Sequence, residues 1–315
     1  MNANVLRIGT RGSRLALWQA EWVQSRLQEL YPELTVRLVP ISTQGDRIQD
    51  VPLARIGGKG LFVKEIEEAL FDGRIDLAVH SMKDVPSVLP TGLILACIPQ
   101  REDPRDALIS RNGRDFSQLP QGARIGTSAL RRQAQLLYRR PDLEIVPLRG
   151  NVETRLRKME EEHLDGIILA AAGLKRLGLM RLISACLPPE LSLPAIGQGA
   201  LGLECHQDNG WVLERIAPLH HPATALTVSA ERSFLRRLNG GCQVPLAAHG
   251  TLAGQTLTLT GLVAGIDGRC LLKETVAASL SQAEELGVHL AEKLLSKGAD
   301  RILAALDIRP KPLGS

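Results

Sequence analysis

The sequence predicts an α/β protein with two similar doubly wound lobes and a small α+β domain at the C-terminal end. Three observations predict this fold: apolar strands alternate with helices as far as residue 219, one strand–turn–helix pattern occurs twice, and residues 220–315 change to paired strands flanked by helices. Alternation of strands and helices is typical of mostly parallel sheets covered on both faces. A chain of 315 residues is long enough for such a multidomain fold.

The first element is a short strand followed by a turn and a helix, within VLRIGTRGSRLALWQAEWVQSRL. An apolar stripe at helical spacing predicts the buried face of this helix, and it consists of Leu15, Trp18, Trp22 and Val23. ARIGTSALRRQAQLL repeats the pattern, so that the Ile-Gly-Thr starting at Ile8 aligns with the one starting at Ile125. A second pair of segments, each a helix followed by a strand, aligns Asp76 with Asp165. Two matched pairs in the same order predict two lobes of similar build.

The first lobe carries an insertion between its turn and its second helix. Ile8 and Val63 are 55 positions apart, whereas Ile125 and Val152 are 27 positions apart. The insertion includes STQGDRIQDVPLARIGGKG, residues 42–60, which is polar and rich in glycine. Such a segment is typical of a mobile flap over a cleft, although an ordinary surface loop has the same composition.

After the second lobe the chain is expected to cross back, because GALGLEC has the pattern of a buried strand. The third unit is expected to contain a helix at 223–238, the strands TLTLTGLVA and RCLLKETVA joined by a turn at Asp267-Gly268, and a helix at 281–297. The expected domains are 1–99 with 200–219 for the first lobe, 100–199 for the second lobe and 220–315 for the third unit.

Both Gly-Thr turns are expected at the carboxyl ends of parallel strands, where this class of fold binds its ligands. Each turn opens a helix whose free N–H groups attract anions, and each is followed by hydroxyl and arginine side chains. The chain has 29 arginines against 9 lysines, and a guanidinium group is the better bidentate partner for carboxylate or phosphate. Codon bias in a GC-rich genome would give the same excess. We expect two anion sites facing one cleft.

The composition argues against several classes of function. Aromatic residues make up 3% of the chain, which leaves few stacking platforms for nucleic acid. The five cysteines show no CxxC spacing and the seven histidines are scattered, so no metal is expected. No apolar run is long enough for a membrane span, and the N-terminal residues lack the apolar core of a signal peptide. We therefore expect a cytoplasmic protein that binds neither nucleic acid nor a membrane.

Two residues stand out in their local sequence. Cys242 lies in LNGGCQVPL, where Gly240 and Gly241 permit a crowded backbone path and could leave room beside the sulfur for a bulky group. A lone cysteine is more often a small buried hydrophobe. Asp84 follows an apolar strand in IDLAVHSMKDVPS, and Pro86 prevents continuation of that strand. A carboxylate in this place could stabilise a cation, but turn and cap residues have the same pattern.

Nine motifs, in one order along nearly the whole chain, resemble the porphobilinogen deaminase family, also called the hydroxymethylbilane synthases. They are RIGTRGSRLALWQA, GGKGLFVKE, HSMKDVP, REDPRDA, GTSALRR, LRGNVETRL, AAAGLKRLG, LPAIGQGALGLEC and AERSFLRRLNGGCQVPL. Each motif is weak alone. Their joint occurrence in this order is highly specific.

The resemblance implies a transferase of haem biosynthesis. Members of the family carry a dipyrromethane cofactor, bound through a thioether to a cysteine that matches Cys242. This cofactor is a primer to which four porphobilinogen units are added head to tail. Each addition releases ammonia, and hydrolysis then frees the linear tetrapyrrole hydroxymethylbilane. The family's catalytic aspartate matches Asp84, and we expect a monomeric enzyme.

The resemblance also implies which residues hold the ligands. Porphobilinogen bears an acetate and a propionate, so a growing chain accumulates carboxylates, for which arginines are fitting partners. The residues that match cofactor-binding positions are Ser81, Lys83, Asp84, Thr127, Ser128, Arg131, Arg132, Arg149, Gly150, Arg155 and Cys242. The residues that match substrate-binding positions are Arg11, Ser13, Phe62, Arg149, Arg155, Arg176 and Gln198.

One departure and two alternatives remain. The family commonly has GTSSLRR, whereas Ala129 replaces the second serine here, and we interpret this as one fewer cofactor hydrogen bond without a change of function. Two α/β lobes around an anion-lined cleft also describe a non-catalytic small-anion binder of the periplasmic-binding-protein type, which would release its ligand and form no covalent adduct. An arginine-rich nucleic-acid binder would instead show salt-sensitive retention on DNA or RNA.

Overall fold

The computed structural model describes residues 4–47, 62–241, 244–306 and 308 of the chain. These residues form two five-stranded sheets and one three-stranded sheet, with helices packed against them. The predicted α/β fold of two lobes with a small third domain is confirmed. Two predicted features lie partly or wholly outside the described residues: residues 48–60 of the proposed flap, and Cys242.

The first sheet has the strand order β2-β1-β3-β10-β4. Its strands are β1 (Val5–Arg11), β2 (Thr35–Ile41), β3 (Leu77–Ser81), β4 (Leu93–Cys97) and β10 (Leu201–His206). Strand β10 is antiparallel to β3 and β4, and it is the return crossing that the sequence predicts. Helices α1 (Arg14–Leu30) and α7 (Gly210–Ile216) cover one face, and α3 (Lys64–Phe71) covers the other. The short α2 (Gln44–Arg47) follows β2.

The second sheet has the corresponding order, β7-β6-β8-β5-β9. Its strands are β5 (Asp106–Ser110), β6 (Arg124–Gly126), β7 (Glu144–Val146), β8 (Gly166–Ala170) and β9 (Ala185–Leu187). Strand β5 is antiparallel to β8 and β9, as β10 is in the first sheet. Helix α4 (Leu130–Arg139) covers one face, and α5 (Val152–Glu161) and α6 (Ala171–Arg176) cover the other.

The two lobes repeat each other at the level of single contacts. Asp76 Oδ2 accepts a hydrogen bond from the backbone N–H of Arg7 at 2.8 Å, and Asp165 Oδ2 accepts one from the N–H of Arg124 at 2.8 Å. In each lobe the aspartate thereby joins the strand that follows it to the strand that contains the Ile-Gly pair. The predicted Gly-Thr turn of the first lobe is wrong, because Gly9 and Thr10 belong to β1 and pair with β2. The predicted alignment of Asp76 with Asp165 is confirmed.

The buried face of α1 differs from the predicted stripe. Its buried residues are Gln19, Ala20, Val23 and Leu27. Of the predicted residues, Leu15, Trp18 and Trp22 are only half-buried. The first turns of α1 face the second lobe, because a Cβ on Gly173 would lie 3.4 Å from Leu15 Cδ2 and the Trp18 ring lies beside Arg176. The bulky residues at the start of α1 therefore form a contact between the lobes rather than a core.

The third domain is an antiparallel meander covered by helices. Its elements are α8 (Pro222–Arg237), β11 (Leu246–Ala253), β12 (Thr256–Ala264), β13 (Leu271–Ser279), α9 (Ala283–Leu295) and α10 (Ala299–Ala304). The two predicted helices and two predicted strands are confirmed with small shifts of their ends, whereas β11 and α10 were not predicted. Gly268 has φ +72°, as the predicted turn between β12 and β13 requires.

The third domain packs against both lobes. Val228 of α8 shares an apolar cluster with Met82 and Val85, which follow β3. Ala134 of α4 shares another with Leu262 of β12. The segment after β3 is therefore held between the first lobe and the third domain.

In the ranges that the structure describes, no helix combines the length and the apolar character needed to cross a bilayer.

Candidate active site

Asp84 lies just beyond the end of a buried strand, as the sequence predicts. Strand β3 passes into a single 3-10 turn, Met82–Asp84, which is closed by a hydrogen bond of 3.2 Å from Val85 N to Met82 O. Asp84 is half-buried, so its carboxylate can meet a ligand while partly shielded from water. Burial lowers the pKa values of Lys83 and Arg155, and the negative charge of Asp84 opposes this decrease in both. The carboxylate therefore shares its surroundings with two cations.

Lys83 is a cation whose charge can change near neutral pH. Burial lowers the pKa of its ammonium to about 8, Asp84 acts in the opposite direction, and Arg132 adds to the decrease. A lysine with this pKa exists partly as the neutral amine under neutral conditions, so it can release a proton as well as hold an anion.

Ser81 and Gln19 connect the end of β3 to α1. Gln19 Nε2 donates to Ser81 Oγ at 2.9 Å, and only 2% of Gln19 is exposed. Sequence reasoning missed Gln19, because a glutamine on an amphipathic helix is normally placed on the solvent face. Its position inside the stripe, beside Trp18, was the available signal.

Arg131 and Arg132 share a carboxylate that belongs to the chain itself. Arg131 Nη1 donates to Asp106 Oδ2 at 2.7 Å, and Arg132 Nε donates to Asp106 Oδ1 at 2.9 Å. All three side chains are buried. Burial alone would raise the pKa of Asp106, but the two guanidinium groups hold it well below its ordinary value. Arg131 and Arg132, which were expected to bind external anions, are thus neutralised in part by the Asp106 carboxylate, and one positive charge remains in excess.

Asp106 was not predicted from the sequence. It opens β5, whose five residues are all buried, and it also accepts from Ser192 Oγ at 2.7 Å and from Gln198 Nε2 at 3.0 Å. A buried carboxylate requires this number of partners. The signal was a single charge at the start of the apolar run DALIS, within the motif REDPRDA.

Gly150 and Arg155 shape the start of α5. Gly150 has φ +120°, and a Cβ there would lie 2.5 Å from Thr154 Cγ2, so this position requires glycine. Its carbonyl accepts from Arg155 Nε at 2.9 Å. Burial, together with the positive charges of Arg132 and Arg149, lowers the pKa of Arg155 to about 10 against the opposing effect of Asp84. Three arginines that repel one another form a place where a carboxylate ligand would be stabilised.

Arg11, Ser13 and Phe62 form a second group near the start of α1. Arg11 donates to both carboxylate oxygens of Asp46, and its guanidinium carbon lies 4.3 Å from the centre of the Phe62 ring. Ser13 is the N-cap of α1 and accepts from Ala16 N at 3.3 Å. Each of these side chains thus has an internal partner, and the Arg11 charge is shared with Asp46.

Arg176 lies where the lobes meet. Its Nη2 donates to Gly199 O at 2.7 Å, its guanidinium carbon is 5.9 Å from the centre of the Trp18 ring, and burial lowers its pKa to about 10. A guanidinium over an aromatic face is stabilised by cation–π attraction. Sequence reasoning placed Trp18 in the core and so missed this contact.

Seven buried side-chain polar atoms among the described residues have no hydrogen-bond partner, and two of them belong to residues of the predicted site: Ser128 Oγ and Gln198 Oε1. Buried polar atoms are nearly always paired in folded proteins. The neighbouring Thr127 Oγ1 is occupied, since it accepts from Ala129 N at 3.2 Å. The residues present therefore fit a ligand that carries carboxylates for the arginines and a polar group for these two atoms. Within the described residues, no group of three or more His, Cys, Asp or Glu side chains is placed to hold a metal ion.

Ala129 is the N-cap residue of α4 and makes no side-chain cap hydrogen bond. We expect Ala129→Ser to raise the free energy of unfolding by about 1 kcal/mol, because serine can accept from a free N–H of the first turn. Urea denaturation measures the change. Ala129→Val adds volume without an acceptor and is the control. If Ala129→Ser improved cofactor retention markedly without this gain in stability, the missing serine would be a cofactor ligand instead of a cap.

The described chain approaches Cys242 through a tightly packed segment. Leu238 is fully buried, and a Cβ on Gly240 would lie 2.3 Å from Leu246 Cδ1. A Cβ on Gly241 would meet nothing within 4 Å. The two glycines therefore differ: a side chain at Gly240 would meet Leu246 and Leu235 of the core, whereas one at Gly241 would meet open space. The room beside the Cys242 sulfur stays a prediction, because Cys242 lies outside the described residues.

Comparisons with known proteins agree on one family. Residues 6–214 match the model described as porphobilinogen deaminase, dipyromethane cofactor binding domain, and residues 225–296 match that of the porphobilinogen deaminase C-terminal domain. The porphobilinogen deaminase of Syntrophotalea carbinolica is 73% identical over 99% of both chains, and that of Geobacter metallireducens is 62% identical over 95% of this chain and 94% of the relative. Among solved structures, the aliphatic sulphonate binding protein SsuA of Escherichia coli is similar with a TM-score of 0.40 at 15% identity, over 99% of this chain and 82% of that one.

Proposed function

The chain belongs to the porphobilinogen deaminase family, and on that premise we propose that Asp84 is its catalytic group and Cys242 the attachment point of its cofactor. The enzyme is a transferase of tetrapyrrole and haem biosynthesis. It deaminates four porphobilinogen molecules and joins them head to tail on a covalent dipyrromethane primer, releasing hydroxymethylbilane and ammonia. The observation that carries the site proposal is the half-buried Asp84 carboxylate, beyond a strand end and beside Lys83 and Arg155.

We propose that side chains from the first two lobes, with Cys242 of the third domain, hold the cofactor. Support comes from the cations available for its carboxylates and from the unpaired Ser128 hydroxyl. When bound, the dipyrromethane supplies a free pyrrole carbon as the nucleophile. The proposed contacts are Ser81, Lys83, Asp84, Thr127, Ser128, Arg131, Arg132, Arg149, Gly150, Arg155 and Cys242.

Porphobilinogen would be bound through its acetate and propionate. Arg155 and Arg176 are suited to this role, since each is half-buried and hydrogen-bonds to a backbone carbonyl in the structure, which leaves its charge available to a carboxylate. Arg11 would bind by exchanging Asp46 for the substrate carboxylate. The proposed contacts are Arg11, Ser13, Phe62, Arg149, Arg155, Arg176 and Gln198.

Asp84 would act on the electrophile. Breaking the carbon–nitrogen bond of porphobilinogen releases ammonia and leaves a methylene-pyrrole whose positive charge is shared by the ring nitrogen. A fixed, partly shielded carboxylate near the pyrrole N–H stabilises that charge more strongly than water does. After the new carbon–carbon bond has formed, the same carboxylate can accept the proton that the attacked pyrrole carbon loses. Lys83, with a pKa of about 8, can relay a proton beside it.

The test is the denatured intact mass of the native chain and of Cys242→Ser. We expect an adduct of two pyrrole units on the native protein and none on the variant, because a thioether needs the sulfur. Cys186→Ser is the matched control, since Cys186 is a half-buried free cysteine away from this segment, and it should keep the adduct. A native chain that stays unmodified after incubation with porphobilinogen would favour the non-catalytic anion binder, which releases its ligand reversibly.

Three further features are proposed with this function. The division into 1–99 with 200–219, 100–199 and 220–315 is supported by the membership of the three sheets. A cytoplasmic monomer that binds neither nucleic acid nor a membrane is supported by the composition and by the small-molecule substrate. Movement of the flap at 42–60 during elongation remains a proposal based on its glycines.

A further inference from the structure

The third domain touches the Asp84 turn through one charged side chain. Arg232 lies on α8 and is half-buried at the contact with the first lobe. Its Nη2 donates to Pro86 O at 2.6 Å, and its Nη1 donates to Val85 O at 3.2 Å. These carbonyls belong to the two residues that follow Asp84. One guanidinium group therefore fixes the chain immediately after the proposed catalytic carboxylate.

This contact is more than apolar packing between domains. The surroundings of Arg232 already include the apolar cluster of Val228, Met82 and Val85, which would hold the surfaces together without a cation. Burial and the positive charge of Arg236 together lower the pKa of Arg232 to about 10, and Glu204 opposes the decrease. A buried cation is costly unless its donors are used. Here two of the three described donations go to backbone carbonyls and the third goes to Met82 Sδ at 3.9 Å, so the guanidinium group serves to fix the course of the chain.

The helix that carries Arg232 also leads to the cofactor cysteine. Helix α8 ends at Arg237, five positions before Cys242. Between them, Leu238 is fully buried and Gly240 is packed against Leu246. Because a helix and the core packed at its end move as one unit, Arg232 joins the Asp84 turn to the element from which the cofactor attachment segment extends.

We propose that Arg232 is a positioning residue that sets the place of Asp84 relative to the helix leading to Cys242. The inference rests on the proposed function of Asp84. The two donated hydrogen bonds keep the Met82–Asp84 turn from moving away from the third domain. Since a misplacement on the order of 1 Å can cost about 10²-fold in rate, the loss of this restraint acts on turnover more than on substrate affinity.

Arg232→Gln is expected to lower kcat by about 10- to 100-fold with KM nearly unchanged, per cofactor-loaded chain. Arg232→Lys keeps the positive charge but lacks the planar fork that reaches two carbonyls at once, so its kcat should fall between those of the native protein and the glutamine variant. A lysine variant as active as the native protein would show that charge alone matters and would overturn the positioning role.

A matched control separates positioning from simple attachment of the third domain. Gln133 Nε2 donates to Ile266 O at 3.1 Å, so Gln133→Ala removes another side-chain hydrogen bond to a carbonyl between this domain and the second lobe. We expect this variant to keep native kcat. If Arg232→Gln and Gln133→Ala lose kcat equally, or if the losses simply follow the thermal midpoints, Arg232 only holds the domains together.

A double variant distinguishes failure of this inference from failure of the proposed function. In an Asp84→Asn background, Arg232→Gln should cause no further loss of kcat, because Arg232 acts through Asp84. A full additional loss would overturn the positioning role and leave Asp84 in place. A native kcat for Arg232→Gln beside a slow Asp84→Asn would do the same, whereas a native kcat for Asp84→Asn alone would overturn the role of Asp84 and with it this inference.

Discussion

Replacement of Asp84 by alanine is expected to lower turnover by about 10²- to 10³-fold, the range found when a single preorganised electrostatic contact to a developing charge is removed. The fold should persist, because Asp84 is half-buried at the end of a turn that Val85 N and Met82 O close with their own backbone hydrogen bond. Single-turnover release of ammonia from porphobilinogen, expressed per cofactor-loaded chain, measures the effect at the chemical step.

Asp84→Asn is the decisive companion variant. It keeps the size and the hydrogen-bond acceptor of the side chain but removes the charge, so it should be about as slow as Asp84→Ala if the carboxylate stabilises a cation. The exposed Asp208, in the turn after β10, gives the control Asp208→Asn, which should be fully active. Near-native turnover of Asp84→Asn would remove the carboxylate from the mechanism.

Elements whose own residues show a clear pattern were predictable, and an element that forms mainly through pairing with another segment was not. The strand–helix repeat and the hairpin at Gly268 are encoded in consecutive residues, and both are confirmed, although Gly9 and Thr10 belong to β1 rather than to a turn. Strand β11 was missed because PLAAHGTLA is poor in the β-branched and aromatic residues that indicate a strand. It forms because eight of its residues pair with β12, a contact between segments that its own sequence does not reveal.

The residues of the candidate site could be named from the sequence, but their contacts could not. Residue types and motif order were sufficient to name the arginines and to place Asp84 beyond β3. They could not show that Arg131 and Arg132 share Asp106, or that Arg11 pairs with Asp46, because these partners are 25, 26 and 35 positions away. Arg11, Arg131 and Arg132, predicted as anion binders, thus pair with carboxylates of the chain itself. Ligand binding by these three arginines depends on exchange with those carboxylates and on the positive charge that remains.

Asp106→Asn is expected to lower the free energy of unfolding by about 3 to 5 kcal/mol, as when one partner of a buried ion pair is removed. The amide leaves Arg131 and Arg132 buried without a counter-charge, although Ser192 and Gln198 can still bond to it. Urea denaturation of the cofactor-loaded protein at pH 7 measures the loss. Asp142→Asn is the control: Asp142 also pairs with an arginine, Arg140, at 2.6 Å, but in a more exposed pair whose loss should change the free energy of unfolding far less.

The pH dependence of this loss of stability distinguishes removal of a charge from damage to packing. Because the pKa of Asp106 is depressed in the folded state, its stabilisation is fully present above the unfolded pKa of about 3.9 and is lost as pH falls towards the folded value. The stability gap between the native protein and Asp106→Asn should therefore be constant from about pH 8 to 5 and close below about pH 4. A gap that persisted unchanged into strong acid, or one no larger than that of Asp142→Asn, would show that the charge of Asp106 does not hold the two arginines in place.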